Sequence, residues 1–210
     1  MNKISIKSLL KDCYDHLWEG YKDLPLAGRG YDVVDNLYKG SLLFVGLNPA
    51  TGKEIKEERL FEGIKEKNYP KYFNAFDSIA KCCGVGYHYS YLDILAIRST
   101  NQKEIKDNMA KIPRLKDFCQ KQISLSLGMM EKAKPQVIAV CNAFACDLLK
   151  VHPGFQTQFD KMIGTYRITS KNELEHTPVF FSGMLSGKHA LDKGSFERLV
   201  WHIKQIVNRE

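Results

Sequence analysis

The sequence predicts an α/β protein built as a three-layer α/β/α sandwich with a mostly parallel central sheet. Short apolar runs without polar alternation are typical of parallel strands buried on both faces. Stretches with helical spacing separate these runs, which indicates crossover helices on both faces of one sheet. The 210 residues contain no internal repeat or linker. We therefore expect a single α/β domain over residues 1–210, with residues 1–40 as a helical segment packed on it.

The first part of the chain is predicted to contain two helices and one strand. Apolar residues at helical intervals predict a helix over residues 3–19. Ser41–Val45 is short, apolar and followed by glycine, which predicts the first strand of the sheet. Residues 51–69 are densely charged and predict a loop with a helical piece. Pro70 then opens a helix over Lys71–Lys81, because proline suits the first helical turn.

The remaining elements alternate between strands and helices. A strand is predicted at Tyr89–Leu95, and a polar connection follows over residues 99–111. Pro113 begins a long helix with one apolar side, which ends at Pro135. The last predicted elements are a strand at Val137–Cys141, a helix over Ala143–Lys150 capped by Asn142, a hairpin within Tyr166–Leu174, a strand at Pro178–Ser182 and a helix over Ser195–Val207.

Composition limits the classes of partner. The formal net charge of +7 favours a polyanion such as nucleic acid, although a basic balance also serves solubility. The N-terminal stretch carries charge through what would be the apolar core of a secretion signal. No apolar run approaches the ~20 residues that a membrane-spanning helix needs. We expect a monomeric, cytoplasmic protein that binds no membrane, and the charge does not specify which polyanion it binds.

Cysteine and histidine spacing gives no sign of a cofactor. The six cysteines are scattered without a CxxC pair, and the six histidines show no metal-binding spacing such as HExxH. We expect free, mostly buried thiols, no metal site, no iron-sulfur cluster and no other cofactor.

Parallel sheets indicate where a ligand should bind. In open α/β sheets, ligands lie beyond the carboxyl ends of the strands. This rule singles out four turns of the predicted sheet, at Leu47–Lys53, Asp93–Ser99, Asn142 and Gly183–Lys188.

The turn after the first strand, GLNPATGKE, has two interpretations. A phosphate-binding loop requires GxxxxGK followed by Ser or Thr. Here five residues separate Gly46 from Gly52, and Glu54 stands where the hydroxyl belongs. Pro49 also removes one of the amide donors that would hold a phosphate. The stretch therefore favours a turn that directs Asn48 at a substrate.

The same turn resembles a motif of a known family. Gly46-Leu47-Asn48-Pro49-Ala50 resembles the first motif of the uracil-DNA glycosylase superfamily, closest to the mismatch-specific uracil and thymine-DNA glycosylase branch, whose pattern is Gly-Ile-Asn-Pro-Gly. Tyr72-Phe73-Asn74-Ala75-Phe76 matches an aromatic-rich helix start of that branch, and residues 136–142 resemble its third strand. Met184-Leu185-Ser186-Gly187 resembles its Asn-Pro-Ser-Gly loop. By order of elements the resemblance covers roughly residues 40–207.

The resemblance implies a uracil-DNA glycosylase-like fold and a DNA glycosylase-like activity. Such an enzyme flips a damaged or mispaired base out of the duplex and hydrolyses its N-glycosidic bond. Asn48 would be catalytic by positioning a water near C1′, because an amide is not a strong base. The implied substrate-binding residues are Gly46, Leu47, Pro49, Phe61 and Asp93. The implied DNA-binding residues are Met184, Leu185, Ser186, Gly187, Lys188 and Arg198.

The substrate-binding assignments have alternatives. Phe61 lies about where the branch has a base-stacking aromatic, but Phe73 or Phe76 would serve as well, and each suits a hydrophobic core. Asp93 either faces the base or caps neighbouring backbone at the strand end. An ionised carboxylate accepts hydrogen bonds only, which favours an exocyclic amine or N3–H over a carbonyl.

The last loop also has alternatives. Met184 and Leu185 are candidates for the wedge that refills the base stack, or for burial at the sheet edge. Met184 stands where other branches carry a His or Asn that stabilises the base's oxygen, and methionine has no donor. The charged residues around Lys188 and Arg198 suit phosphate contact, or a solvated face. Two other functions therefore remain: nucleic-acid or nucleotide binding on the same fold without glycosylase activity, and a small-molecule α/β protein.

Overall fold

The computed structural model describes residues 2–50, 58–61, 70–86, 88–187 and 190–208, without the side chains of residues 7–9, 59–61, 70 and 71. The helices in these residues are α1 (Lys7–Glu19), α2 (Pro70–Cys82), α3 (Gln102–Lys111), α4 (Pro113–Ala133), α5 (Ala143–Lys150) and α6 (Lys193–Val207). The strands are β1 (Lys3–Ser5), β2 (Asp32–Val34), β3 (Asn36–Tyr38), β4 (Leu42–Gly46), β5 (Arg59–Phe61), β6 (Ser90–Asp93), β7 (Val137–Val140), β8 (Thr157–Asp160), β9 (Thr165–Ile168) and β10 (Pro178–Phe181).

The central sheet has six strands in the order β6-β4-β7-β10-β9-β8 within the described residues. Strands β6, β4, β7 and β10 run parallel, whereas β9 and β8 continue the sheet antiparallel. Two smaller pairs lie beside it, β1 with β3 and β2 with β5. The prediction of an α/β protein with a mostly parallel sheet is confirmed.

Strand β4 shows how the layers form. Leu43 and Val45 belong to the core packed by α1, α3, α4 and α5, whereas Leu42 and Phe44 belong to the core packed by α2 and α6. Every residue of β4 is buried, as expected for a central strand covered on both faces. The sheet is therefore the middle of three layers.

Four of the predicted helices are confirmed, namely α2, α4, α5 and α6. Proline occupies the first turn of α4, where its missing N–H would have no intrahelical partner. Asn142 caps α5 by accepting hydrogen bonds from the backbone N–H groups of Phe144 and Ala145, at 2.9 and 3.1 Å. In the part of the chain that the structure describes, no helix is both long and apolar enough to cross a membrane.

One helix was predicted with the wrong start, and one helix was not predicted. The helix predicted over residues 3–19 begins only at Lys7, because the preceding residues pair with β3 as strand β1. The polar connection predicted over residues 99–111 contains α3. Its buried residues are Ile105 and Met109, four apart, and so narrow an apolar stripe does not stand out among charged neighbours.

The strand predictions need similar corrections. The strand predicted at Tyr89–Leu95 is shorter, since its ladder with β4 covers Ser90–Asp93. The hairpin predicted within Tyr166–Leu174 begins earlier and is formed by β8 and β9. The helical piece predicted within residues 51–69 lies largely outside the described residues.

Strand β2 brings the N-terminal segment to the carboxyl ends of the parallel strands. Helix α1 packs on α4, with the rings of Trp18 and Phe118 4.7 Å apart. The chain then turns back, and the N–H of Asp32 donates to the carbonyl of Ala96 at 3.0 Å. This hydrogen bond sets the Asp32 side chain next to the residues that follow β6.

Candidate functional site

A cavity of about 310 Å³ opens at the carboxyl ends of β4, β6 and β7. Its volume lies at the lower end of the range for small-molecule sites, about 300–1,000 Å³. Residues from each of the four turns that the strand-end rule singled out line this cavity. Parallel strands bring these turns together because their carboxyl ends meet at one edge of the sheet.

Asn48 lines the cavity and is held by its side-chain nitrogen. Nδ2 lies 2.8 Å from the carbonyl oxygen of Ser99, 3.0 Å from that of Pro49 and 3.2 Å from that of Ile97. Carbonyl oxygens accept but do not donate, so only the NH₂ end of the amide can face them. Asn48 Oδ1 therefore points away from this backbone, and none of the described residues donates a hydrogen bond to it.

Gly46 and Asp93 are direct neighbours on the parallel strands β4 and β6. A Cβ on Gly46 would lie 2.2 Å from Asp93 Oδ1 and 2.4 Å from the hydroxyl oxygen of Tyr91. Glycine is therefore required at position 46 by the side chains of the adjacent strand. This close approach leaves the Asp93 carboxyl between the glycine and the tyrosine hydroxyl.

Asp93 has an unusual acidity for a carboxyl group. Burial raises its pKa to about 7, the hydrogen bond from Tyr91 opposes this rise, and the negative charge of Asp32 adds to it. Tyr91 Oη donates to Asp93 Oδ1 at 2.7 Å. Near neutral pH, both the neutral and the ionised form of Asp93 are present.

Replacing Asp93 with asparagine should remove a pH dependence of stability. The folded carboxyl ionises near pH 7 and the unfolded one near its ordinary value of about 4, so wild-type stability falls as pH rises through that window. Asp93→Asn lacks this loss, and we expect its free energy of unfolding to exceed that of the wild type by about 2–4 kcal/mol at pH 8 but not near pH 4. Urea denaturation across this range measures the difference. Asp147→Asn, at an exposed position on α5, is the control; a pH-independent difference for Asp93→Asn would contradict the expectation.

An aromatic wall faces the carboxyl. Tyr72, Phe73 and Phe76 of α2 line the cavity with Tyr91. The ring of Tyr91 packs edge-on against Phe73 at 5.3 Å and against Tyr72 at 5.8 Å. Phe73 and Phe76 were alternatives to Phe61, whose side chain lies outside the described residues although its backbone forms part of β5.

A second carboxyl, that of Asp32, also lines the cavity. Asp32 Oδ2 lies 4.0 Å from Nε of Arg98, and these side chains are 11% and 2% exposed. Arg98 Nη1 donates to the carbonyl of Arg29 at 2.8 Å. The buried guanidinium therefore balances the charge of Asp32 behind the cavity wall.

The loop after β10 closes one side of the cavity. Met184, Leu185 and Ser186 line it. Leu185 is buried in the core packed by α2 and α6, whereas Met184 is half-buried. Of the two candidates for a wedge, Met184 thus keeps more surface free. Gly187 adopts a left-handed φ of +85°, which favours glycine at this turn.

Among the described residues predicted to contact DNA, Gly187 and Arg198 do not line the cavity. Arg198 is exposed on α6, and its Nη2 donates to the hydroxyl of Ser195 at 3.2 Å. Lys188 lies outside the described residues. The remaining predicted residues, Gly46, Leu47 and Pro49, line the cavity beside Asn48.

Several cavity residues were not predicted as site residues. Tyr91 lies two positions before Asp93 in one strand, so strand periodicity would place both on the same face. Tyr72 begins the aromatic-rich start of α2. No local signal marks Asp32, which reaches the cavity through the folding of the N-terminal segment.

The chemistry of the wall is apolar and acidic. None of the described residues that line the cavity is Lys or Arg. Cys141 also lines it, but burial raises the pKa of this thiol, so it stays protonated and is a poor nucleophile. Among the described residues, no group of three or more His, Cys, Asp or Glu side chains is arranged to hold a metal ion.

The chain was compared with protein-family models and with curated proteins. No protein-family model matches the chain, and no curated protein matches it.

Proposed function

We propose that this protein is a DNA glycosylase-like enzyme that takes a flipped, damaged or mispaired base into the cavity and hydrolyses its N-glycosidic bond. The observation that carries the proposal is the orientation of Asn48. Three backbone carbonyls engage its Nδ2, so its Oδ1 is the atom left to hold a water. The uracil-DNA glycosylase-like form of the α/β fold is part of the same proposal.

The reaction needs a positioned water and a stabilised leaving base. The bond between C1′ and the base nitrogen breaks, the base leaves with the electron pair, and the water oxygen bonds to C1′ as its proton passes to solvent. Asn48 Oδ1 accepts a hydrogen bond from the water and aligns it, which replaces a chance encounter by a fixed geometry. An amide does not remove the proton, so Asn48 acts by positioning.

The cavity wall supports a base rather than a phosphate as the inserted group. Nucleobases are flat, uncharged rings with polar edges, and they stack on aromatic side chains. Tyr72, Phe73 and Tyr91 provide aromatic surface, and Asp93 provides a polar group at its end. A phosphate would instead require cationic side chains or several backbone amides, and the described lining residues include no Lys or Arg.

Two observations support duplex DNA as the partner, namely the overall charge and Met184 at the edge of the cavity. The formal net charge is +7, which favours association with a polyanion. Flipping a base costs a few kcal/mol, and a side chain that fills the gap offsets part of that cost. Half-buried Met184 is the residue best placed for this role. A monomeric state and a cytoplasmic location remain predictions.

Binding without cleavage is the second candidate, and Met184 is the observation that favours it. A departing base carries developing negative charge on its oxygen, which a hydrogen-bond donor would stabilise. Met184 lines the cavity in the loop where other branches of the resembled superfamily carry a donor, and methionine has none.

A cleavage assay tests the proposal. Duplexes with uracil, mismatched thymine or an alkylated base should yield abasic sites that break in alkali. In Asn48→Ala we expect the single-turnover rate to fall about 100-fold, because the water is no longer aligned. Activity that survives this substitution unchanged would contradict the proposed role of Asn48.

A matched control separates catalysis from folding. Asn172 also links two loops, since its Nδ2 donates to the carbonyl of Gly154 at 2.9 Å and its Oδ1 accepts from the N–H of Leu174 at 3.0 Å. Asn172 is not among the residues that line the cavity. Asn48→Ala and Asn172→Ala should each lose about 1–3 kcal/mol of stability, but only the first should lose activity. Salt-dependent DNA binding without base release would favour the second candidate.

A further inference from the structure

The cavity contains a chain of hydrogen bonds that runs in one direction. Tyr91 Oη donates to Asp93 Oδ1 at 2.7 Å, and the hydroxyl oxygens of Tyr72 and Tyr91 lie 2.9 Å apart. A phenol has a single O–H proton. Because the Tyr91 hydroxyl donates its hydrogen bond to Asp93, Tyr72 must be the donor in the hydrogen bond between the two tyrosines. The chain therefore ends on one oxygen of the Asp93 carboxyl.

The other oxygen of Asp93 is left for a ligand. Within the described residues, no hydrogen bond reaches Oδ2, and Asp93 lines the cavity. Tyr91 and the close approach to Gly46 hold Oδ1 in place. A neutral carboxyl presents an O–H donor to the cavity, whereas an ionised carboxylate presents only an acceptor.

We propose, on the basis of the proposed function, that Asp93 selects the base by its own protonation state. With a neutral carboxyl, the cavity takes bases that present a carbonyl oxygen at this edge. With an ionised carboxyl, it takes bases that present an exocyclic amine. In this inference Asp93 meets the substituent at C4 of a pyrimidine and not its N3, so uracil presents a carbonyl to it and cytosine presents an amine.

The surroundings of Asp93 place the ionisation of its carboxyl near neutral pH. Burial raises the pKa of Asp93 to about 7, Tyr91 lowers it and Asp32 raises it. Burial also raises the pKa values of the Tyr72 and Tyr91 hydroxyls and the Cys141 thiol. These three groups therefore stay uncharged while Asp93 titrates.

The fixed charges behind the wall come from the N-terminal segment and the chain after β6. Asp32 carries the negative charge that faces Asp93, and Arg98 lies 4.0 Å behind it. The aromatic side of the cavity, formed by α2, adds no charge among its described lining residues, because the Tyr72 hydroxyl there stays neutral. The balance of Asp32 and Arg98 thus influences the pH at which the preference changes.

Calorimetric binding of the free bases tests the selection directly. Between about pH 5.5 and 8.5 the neutral fraction of a carboxyl with a pKa of about 7 falls about 30-fold. We expect the affinity for uracil to fall by about that factor and the affinity for cytosine to rise correspondingly. Each of the two affinities should reach half of its maximum near pH 7, and that pH is the midpoint.

Two variants make the assignment specific. Asp93→Asn cannot ionise, so its affinity ratio should not change with pH. Tyr91→Phe removes a hydrogen bond that favours the ionised form, so its midpoint should move to higher pH. Tyr89→Phe is the matched control, because Tyr89 Oη donates to Asp77 Oδ1 at the same distance of 2.7 Å, and its midpoint should stay where it is.

The outcomes separate this inference from the proposed function. A wild-type affinity ratio that does not change with pH, a pH dependence that persists in Asp93→Asn, or no binding of either base would overturn the selection by Asp93. If the bases bind with the expected pH profile but no base is released from DNA at any pH, the proposed glycosylase activity fails while the selection stands.

Discussion

Replacing Gly46 with alanine is expected to destabilise the protein by about 3 kcal/mol and to abolish ligand binding in the cavity. The new Cβ would lie 2.2 Å from Asp93 Oδ1 and 2.4 Å from the Tyr91 hydroxyl oxygen, which are distances that real contacts do not show. The Tyr91 ring is buried and has little room to move, so the carboxyl has to leave its position. Thermal unfolding and calorimetric titration with uracil measure the two effects.

A glycine without such neighbours provides the control. A Cβ on Gly128, within α4, would have no atom within 4 Å outside its own helix turn. Gly128→Ala should be neutral or stabilise by up to about 1 kcal/mol, because alanine favours a helix over glycine. If Gly46→Ala is as stable as Gly128→Ala and still binds uracil, the packing between β4 and β6 is not what the structure describes.

Replacing Arg98 with methionine is expected to cost about 3–5 kcal/mol of stability. Arg98 is 2% exposed and lies 4.0 Å from Asp32, which is 11% exposed. Removing one partner of a buried ion pair costs more than the pair itself contributes, because the remaining charge stays buried and loses part of its compensation. Urea denaturation measures the loss, and the double variant Arg98→Met with Asp32→Asn should recover part of it.

A pair of similar separation on the surface is the comparison. Lys103 Nζ and Asp107 Oδ2 lie 3.9 Å apart, but their side chains are 81% and 50% exposed. Lys103→Met should change the free energy of unfolding by less than about 0.5 kcal/mol, because water screens an exposed pair. A loss below about 1 kcal/mol for Arg98→Met would contradict the structural importance given to this buried pair.

Local sequence patterns were sufficient for the elements with strong periodicity. Strand β4 is apolar throughout, and α4 and α5 have wide apolar stripes with Pro113 and Asn142 at their starts. Helix α3 was not predicted, because its buried residues are Ile105 and Met109, and two apolar positions are too few to show a helical period. Strand β1 was missed because three residues that pair with a distant strand have the same local pattern as a helix start.

The same division applies to the cavity. Asn48 follows β4 and Asp93 ends β6, so the strand-end rule was enough to predict that both lie at a common edge of the sheet. That rule predicts neither the orientation of the Asn48 amide nor the protonation of Asp93. The orientation of the Asn48 amide depends on the carbonyls of Ile97 and Ser99, and the raised pKa of Asp93 depends on burial and on Asp32.

Chain order and strand chemistry thus predicted the layered sheet, the turn that carries Asn48 and the edge at which a ligand should bind. The pairing of Asp32 with Arg98, the tyrosine chain that ends on Asp93 and the requirement for glycine at position 46 required the folded chain. The physical reason is that hydrophobic periodicity and turn chemistry act over a few neighbouring residues. Burial, hydrogen-bond direction and charge balance arise instead between residues that only the fold brings together.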